Sequence, residues 1–325
     1  MDKVPGATGE PRIRQFGGGA ANLTYELDFG EAVYVLRRPP LGPVAPRSHD
    51  MGREHTVLSR LHEVFPPAPR SFHFCSDESI IGAPFVVMER RYGVVVRRQL
   101  PASYAAMPDA PEQLGFALVD GLAALHAVDY QALGLAGLGK PDGFIERQVD
   151  GWYGRWQRAK SEDVPEMDAV HSWLQHNLPE RSATSLVHND YKLDNTMFAP
   201  DDPARLVAVF DWDMATIGDP LSDLGALLTY WIEDDDPADA RAFSPMPRDA
   251  SGFPTRAELV DRYARLSGRD VSTIDFYHVL GLYRLAVILA QIYIRWQRGQ
   301  TRDERFAGLG ALVRLIAAQA VGLAR

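Results

Sequence analysis

His188, Asp190 and Asn195 share one short stretch, Leu186-Val-His-Asn-Asp-Tyr-Lys-Leu-Asp-Asn195, and a separate carboxylate follows in Phe210-Asp211-Trp-Asp213. An alcohol that attacks a γ-phosphate needs a carboxylate to orient it and take its proton. Asp190, presented by a loop at the end of an apolar strand, suits that role. Asn195 and Asp211 offer oxygen ligands of the kind Mg²⁺ prefers. Lys192, two residues past the base, is placed to neutralise charge on a phosphoryl group in transfer. His188 is expected to support the loop by hydrogen bonding. Any one of these residues alone would be an ordinary turn or cap residue. The joint pattern His-x-Asp-x4-Asn after one apolar strand, with Phe-Asp after the next, is specific for phosphoryl transfer from a magnesium nucleotide.

These residues need a scaffold, and the chain has length for two lobes: 325 residues, 46% hydrophobic and 24% charged. Residues 12–37 read as strands joined by the turn Gly17-Gly-Gly19, with Ala32–Arg37 ended by Pro39-Pro40. Met51 to Val64 reads as a helix with Val57, Leu58 and Leu61 on one face, and Phe85–Glu89 as another strand. Beyond Arg90-Arg91-Tyr92-Gly93 helical periodicity takes over, at 111–128, 166–178, 221–232, 257–267, 272–297 and 303–323. Two short strands, Thr184–His188 and Arg205–Phe210, interrupt it around the candidate site. The fold class is therefore α+β, with a β-rich lobe over residues 1–91 and a helical lobe over 92–325. No internal repeat or low-complexity tract is present.

The net charge of −9 argues against a nucleic-acid partner. The N-terminus has no apolar signal core, and no apolar run is read as approaching the length of a membrane span, which together predict a cytoplasmic protein without membrane association. The oligomeric state is left open. Cys75, the one cysteine, is expected to be a small buried residue among Phe72, His73 and Phe74. Lysine is scarce, occurring only at 3, 140, 160 and 192, which adds interest to Lys192.

Several segments together resemble the aminoglycoside phosphotransferase and choline kinase group, relatives of the protein kinases. They are Gly18-Gly-Ala-Ala-Asn22-Leu-Thr-Tyr25, Tyr34–Arg37, Phe85–Glu89, His188–Asn195 and Phe210-Asp-Trp-Asp-Met-Ala-Thr-Ile-Gly-Asp-Pro-Leu-Ser-Asp-Leu224, in the expected order. Leu36-Arg-Arg-Pro-Pro and Ser48–Glu54 look like the phosphotransferase domains associated with acyl-CoA dehydrogenases. The resemblance implies a bilobal protein-kinase-like fold, with a small antiparallel-sheet N-lobe and a larger, mostly helical C-lobe. It implies ATP and Mg²⁺ as cofactors, Asp190 as catalytic base, and Asn195 and Asp211 as metal ligands. Glu54 matches the glutamate that pairs with a phosphate-binding lysine on the third strand; here that position holds Arg37, whose planar head is less adaptable. The glycine loop also departs from Gly-x-Gly-x-x-Gly, but Gly18, Gly19 and Asn22 would still cover the phosphates. Main-chain groups of Glu89 and Arg91, where the lobes meet, would face adenine. Asp219 and Asp223 are family landmarks read as structural, one of them capping the helix that starts near Pro220.

The implied activity is a small-molecule kinase. The segment from Asp211 to Pro220 is too short for a peptide-docking activation loop. The acceptor is a small-molecule hydroxyl compound of open identity. Trp152, Trp156, Tyr230, Trp231, Tyr283, Tyr293 and Trp296 are candidate pocket residues, with Tyr283 and Tyr293 better read as core. Glu233–Asp236 reads as a solvated run that could also meet the ammonium groups of an aminoglycoside. Arg90, Arg91, Arg97, Arg98, Arg147 and Arg155 could meet the phosphates of an acyl-CoA-type substrate. The competing readings are a nucleotide-binding regulatory module with weak or no turnover, and a metal-dependent phosphohydrolase, for which the nine histidines show no suitable grouping.

Overall fold

The computed structural model describes residues 4–17, 22–40, 50–180, 182–301 and 303–324. Gly18 and Gly19 lie outside the described residues. The first lobe contains β1 (Arg12–Gln15), β2 (Leu23–Asp28), β3 (Val33–Arg38), α1 (Met51–Leu61), β4 (Ser71–Cys75), α2 (Glu78–Ile81) and β5 (Phe85–Glu89). The five strands form one antiparallel sheet in the order β1-β2-β3-β5-β4. Register places Arg37 opposite Thr24 on one side and Val86 on the other. Helix α1 starts where the Asp50 carboxylate accepts the Arg53 amide at 2.9 Å. Met51, Glu54, Val57, Leu58 and Leu61 make its buried stripe. Glu54 thus lies on the face that packs toward the sheet, although it is a carboxylate.

The second lobe contains α3 (Ala110–His126), α4 (Phe144–Ala159), α5 (Pro165–His176), β6 (Ser185–Val187), β7 (Thr196–Ala199), β8 (Asp202–Val209), β9 (Thr216–Gly218), α6 (Leu221–Tyr230), α7 (Ala238–Phe243), α8 (Arg256–Ser267), α9 (Ile274–Gln297) and α10 (Leu309–Leu323). The chain is therefore the α+β, bilobal, kinase-like fold expected. Strands β6 and β9 pair with each other, and β7 with β8, so the two short strands read from the sequence belong to separate two-stranded sheets. The expected strands 184–188 and 205–210 overlap β6 and β8, the latter beginning three residues earlier at Asp202, while β4, β7, β9, α2, α4 and α7 have no counterpart in the sequence pattern.

Helices α6 and α9 approach so closely that only glycine fits at the crossing. A Cβ on Gly225 would lie 2.3 Å from the Tyr277 carbonyl oxygen, and one on Gly281 would lie 2.3 Å from the Thr229 hydroxyl. This crossing seats α6, and with it Asp223, beneath the loop that follows β6.

Three expectations need correction. Cys75 is half-buried at the end of β4, an edge strand with a partner on one side only. The acidic run is not uniformly solvated, because Arg256 binds Glu233 and Asp236. Two helical segments, Ile274–Gln297 and Glu304–Leu323, are long and apolar enough to cross a membrane by length and composition. The window in the first is 67% buried inside the fold, as a core helix would be.

Candidate active site

The loop after β6 is held from behind. Asp223, fully buried on α6, accepts the amides of His188 (2.6 Å) and Asn189 (2.7 Å), and His126 Nε2 lies 3.2 Å from the same carboxylate. Burial works to raise the Asp223 carboxyl, but the hydrogen bond and charge of His126 and its other partners hold it below the usual carboxylate range. Buried His188 accepts the Asp190 amide at Nδ1 (3.2 Å), so its Nε2 carries the proton and donates to the Phe210 carbonyl (2.9 Å). Burial pushes its pKa down and favours that neutral tautomer. His188 is therefore a tie between the loop and the segment carrying Asp211, as its supporting role required.

Two residues in this region adopt positive φ without being glycine: Asn189 at 66° and Asp211 at 70°. Asn and Asp are the residues that tolerate this conformation best. Each sits where the chain turns a functional side chain into the cleft.

Lys192 places its ammonium 2.7 Å from both oxygens of Asp190. The Asn195 side-chain amide donates to the Asp190 carboxylate at 2.7 Å and to its carbonyl at 2.9 Å. Burial would lower the Lys192 pKa, but Asp190 beside it raises it further. Lys192 also lies 5.1 Å from the ring centroid of Tyr230. Asp194, which also lines the cleft, has a buried oxygen, Oδ1, with no hydrogen-bond partner, and burial raises its carboxyl pKa.

From the first lobe, Arg37 donates one guanidinium nitrogen to Glu54 and another to Asp211. Its burial opposes its charge, yet Glu54 and Asp211 together raise its pKa. Burial raises the Glu54 carboxyl despite Arg37. Burial also opposes Asp211, but there the Arg37 charge prevails and lowers the carboxyl. Asp213, bonded by the Asn22 amide at 3.3 Å, is pushed up to about 7 by burial and by Asp211.

These groups converge on one cavity of about 580 Å³ between the lobes. Val35, Leu58, Met88 and Met197 supply apolar walls, and polar groups gather at the inner end. Of the residues singled out in the sequence, Asn22, Arg37, Glu54, Glu89, Arg90, Arg91, Arg97, Asp190, Lys192, Asn195 and Asp211 line it, while His188 stands behind it. The Glu89 amide is used by the Arg70 carbonyl at 2.8 Å. Arg91 braces the connector, donating to the Pro66 and Ala68 carbonyls and pairing with Glu89 at 3.0 Å.

The donor set fits a magnesium ion. With the Asn195 nitrogen committed to Asp190, its Oδ1 is the remaining group, and the Asp211 carboxylate is the second oxygen donor at the same end of the cavity. Mg²⁺ characteristically takes one or two protein oxygens and fills its remaining sites with water and phosphate. Among the described residues no group of three or more His, Cys, Asp or Glu could hold a metal unaided, in contrast to the cluster a metallohydrolase would need.

Sequence reading missed Met197, Asp194 and Arg284. Arg284 had a detectable signal. It is the single charged residue of α9 between Asp275 and Arg295, in an otherwise apolar helix. Of the aromatic candidates, Trp156, Trp231 and Tyr283 are fully buried, and Tyr230 is the one that stands beside Lys192.

A model of the phosphotransferase enzyme family matches residues 12–259. Acyl-CoA dehydrogenase family member 11 of Homo sapiens is 34% identical over 298 residues, covering 90% of this chain and 37% of that protein. The chain thus spans little over a third of that relative's length. A crystal structure of a provisionally named aminoglycoside phosphotransferase from Ralstonia eutropha superposes with a TM-score of 0.85 at 31% identity, covering 99% of this chain and 95% of the other. The aminoglycoside phosphotransferase APH(4)-Ia, solved as a thermostable mutant with AMP-PNP and hygromycin B, shares the fold at a TM-score of 0.60 and 17% identity, over 96% and 94% of the two chains.

Proposed function

The chain belongs to the phosphotransferase enzyme family, and from that premise we propose that it is a kinase transferring the γ-phosphoryl group of ATP to the hydroxyl of a small molecule. The observation that carries this reading is the convergence of Asp190, Lys192 and Asn195 with Asp211, Arg37 and Glu54 at the inner end of one interlobe cavity. The complex of APH(4)-Ia with an ATP analogue and an antibiotic supports a nucleotide cleft of this kind in the fold.

Asp190 orients the acceptor hydroxyl and takes its proton as the oxygen attacks the γ-phosphorus. The bond to the bridging oxygen breaks and ADP leaves. Asn195 and Asp211 are the residues that would hold Mg²⁺, which when bound neutralises charge on the phosphates. Lys192, pinned to Asp190, offsets charge that gathers on the phosphoryl oxygens. Arg37 is the cation available to the α- and β-phosphates, and Glu54 holds it in place. Gly18, Gly19 and Asn22 would cover the phosphates. The carbonyl of Glu89 and the main chain of Arg91 would meet the adenine edge, since the Glu89 amide is already committed.

A phosphate-transfer screen of aminoglycosides, macrolides, choline-like amines, sugars and hydroxyacyl-CoA esters with Mg·ATP tests the activity. Transfer that Asp190→Ala abolishes is the expected result. Tight nucleotide binding without transfer to any acceptor would favour a regulatory module, a reading to which the Arg37 clamp on Asp211 lends some support.

A further inference from the structure

Asp190 is the one residue that lines both the large cleft and a second, smaller hollow on its far side. That hollow has about 10 Å³ of free space, and Asn189, Thr229, Tyr230 and Arg284 are among its walls. The hollow thus adjoins Asp190 apart from the cleft, and an acceptor hydroxyl that meets Asp190 comes close to its rim. The groups around the hollow therefore bear on which acceptor is taken.

Arg284 is half-buried on α9 and donates through Nη2 to the Asn189 carbonyl, the residue adjacent to Asp190. Its guanidinium lies 5.3 Å from the ring centroid of Trp152. Arg155 lies over the same indole at 4.2 Å. The two charges are thus closer than one Debye length at ordinary ionic strength, about 10 Å. Among the described residues neither arginine has an ion-pair partner. Burial and the charge of Arg284 push the Arg155 guanidinium down. Within the acidic run 233–236, which could have met a polyamine, Glu233 and Asp236 are bound by Arg256, and Asp234 and Asp235 are exposed.

We propose that the acceptor is an alcohol bearing an anionic group, a carboxylate or a phosphate monoester, and that Arg284 is the specificity-determining residue that binds it. The proposal rests on the kinase reading above and names the substrate class for it. A guanidinium pairs with either anion through two parallel hydrogen bonds. Arg284 uses only Nη2 on the Asn189 carbonyl, which leaves Nε and Nη1 for the substrate. Because that tether is to the residue before the base, it sets the anion at a fixed reach from Asp190. Arg155, over the same indole, adds a second positive charge nearby, and a bound anion relieves the repulsion between the two arginines.

The test uses the full chain with Mg²⁺ and matched acceptors. Hydroxy acids are compared with their methyl esters and with amino alcohols, and phosphate-bearing alcohols with their dephosphorylated forms. ADP release is the readout, and the two arms separate carboxylate from phosphate. The expected result is turnover confined to anionic members. Arg284→Gln should raise their KM about ten-fold or more, the loss of a charged hydrogen-bond pair, with kcat little changed, and Arg284→Lys should restore part of it. Arg155→Gln should give a smaller shift in the same direction. A second measurement titrates the protein saturated with Mg·AMP-PNP with inorganic phosphate and with a hydroxy acid, following tryptophan fluorescence. Saturable binding weakened by Arg284→Gln is expected. Equal efficiency on neutral or cationic alcohols overturns the proposal and leaves the kinase standing. So does the absence of both anion binding and anionic turnover in a protein that binds Mg·AMP-PNP. Failure to bind Mg·AMP-PNP instead removes the kinase reading on which the proposal rests.

Discussion

Lys192 and Asp190 form a close ion pair, with the ammonium 2.7 Å from each carboxylate oxygen. Asn195 closes on the same carboxylate from the other direction. Asp190 is thus held in one orientation by two neighbours that belong to its own loop. Asp190→Asn keeps the shape and removes the base. Turnover should fall by about 10²–10⁴-fold, the usual contribution of a positioned base. Calorimetry should show Mg·ATP binding within a few-fold of wild type, since the nucleotide contacts are made elsewhere. Undiminished ADP release in the variant would remove Asp190 from the mechanism.

Arg37 joins the two lobes of the site, since it binds Glu54 on α1 and Asp211 after β8 at once. Arg37→Ala leaves a fully buried carboxylate without its cation. Denaturant unfolding should show a loss of about 3–5 kcal/mol, the range for breaking a buried pair from one side, and Mg·ATP affinity should drop about ten-fold or more. Arg37→Lys offers a single point charge that cannot bridge both acids, so it should recover only part of either quantity. Unchanged nucleotide affinity in Arg37→Ala would place the phosphates away from β3.

Much of this site was legible in the residues themselves, for physical reasons. Asp190, Asn195 and Asp211 are specified by type and spacing, because the loop after one short strand and the turn after the next must each present an oxygen at a fixed place. Glu54 was singled out through the family resemblance alone, and its place on the buried stripe with Met51, Val57 and Leu58 emerges in the fold. What stayed hidden depends on packing across the chain. Nothing in the sequence says that Lys192 pairs with Asp190 or that Arg256 consumes Glu233 and Asp236. Helix α4 was missed because Gly151 and Gly154 weaken its pattern. Strand β7 is four residues, all buried, and shows no alternation to read. Cys75 read as buried because its neighbours are aromatic, yet an edge strand leaves it half-exposed. Arg284 was overlooked because the helix around it reads as core.

Gly225 should be intolerant of any side chain. Its added Cβ would meet backbone, the Tyr277 carbonyl oxygen at 2.3 Å, so relief requires α6 to move away from α9. Gly225→Ala is expected to cost about 1–3 kcal/mol, as overpacking does. It should also reduce kcat, because α6 carries the Asp223 carboxylate that holds the His188 and Asn189 amides. Gly322→Ala is the control, since a Cβ there has nothing within 4 Å. Equal thermal stability of the two variants would mean that the helices are not packed this tightly.

His278 should give the protein a specific acid sensitivity. It is buried on α9, its Nε2 has no hydrogen-bond partner, and burial together with Arg256 pushes its pKa down to about 4. An unfolded histidine titrates near its ordinary value of about 6.5. Between these values the unfolded chain binds the proton and the folded chain does not, so stability must fall as pH falls through that window. At about 1.4 kcal/mol for each unit of pH, lowering the pH from 7 to 5 should cost about 2 kcal/mol through this residue. His278→Phe removes the titration and sacrifices no bond at Nε2. Other acid-sensitive groups are common to both proteins, so the difference between their pH profiles isolates His278. The variant should therefore lose about 2 kcal/mol less than wild type over that interval in denaturant unfolding. Parallel profiles would show that His278 is protonated or solvated in the folded protein.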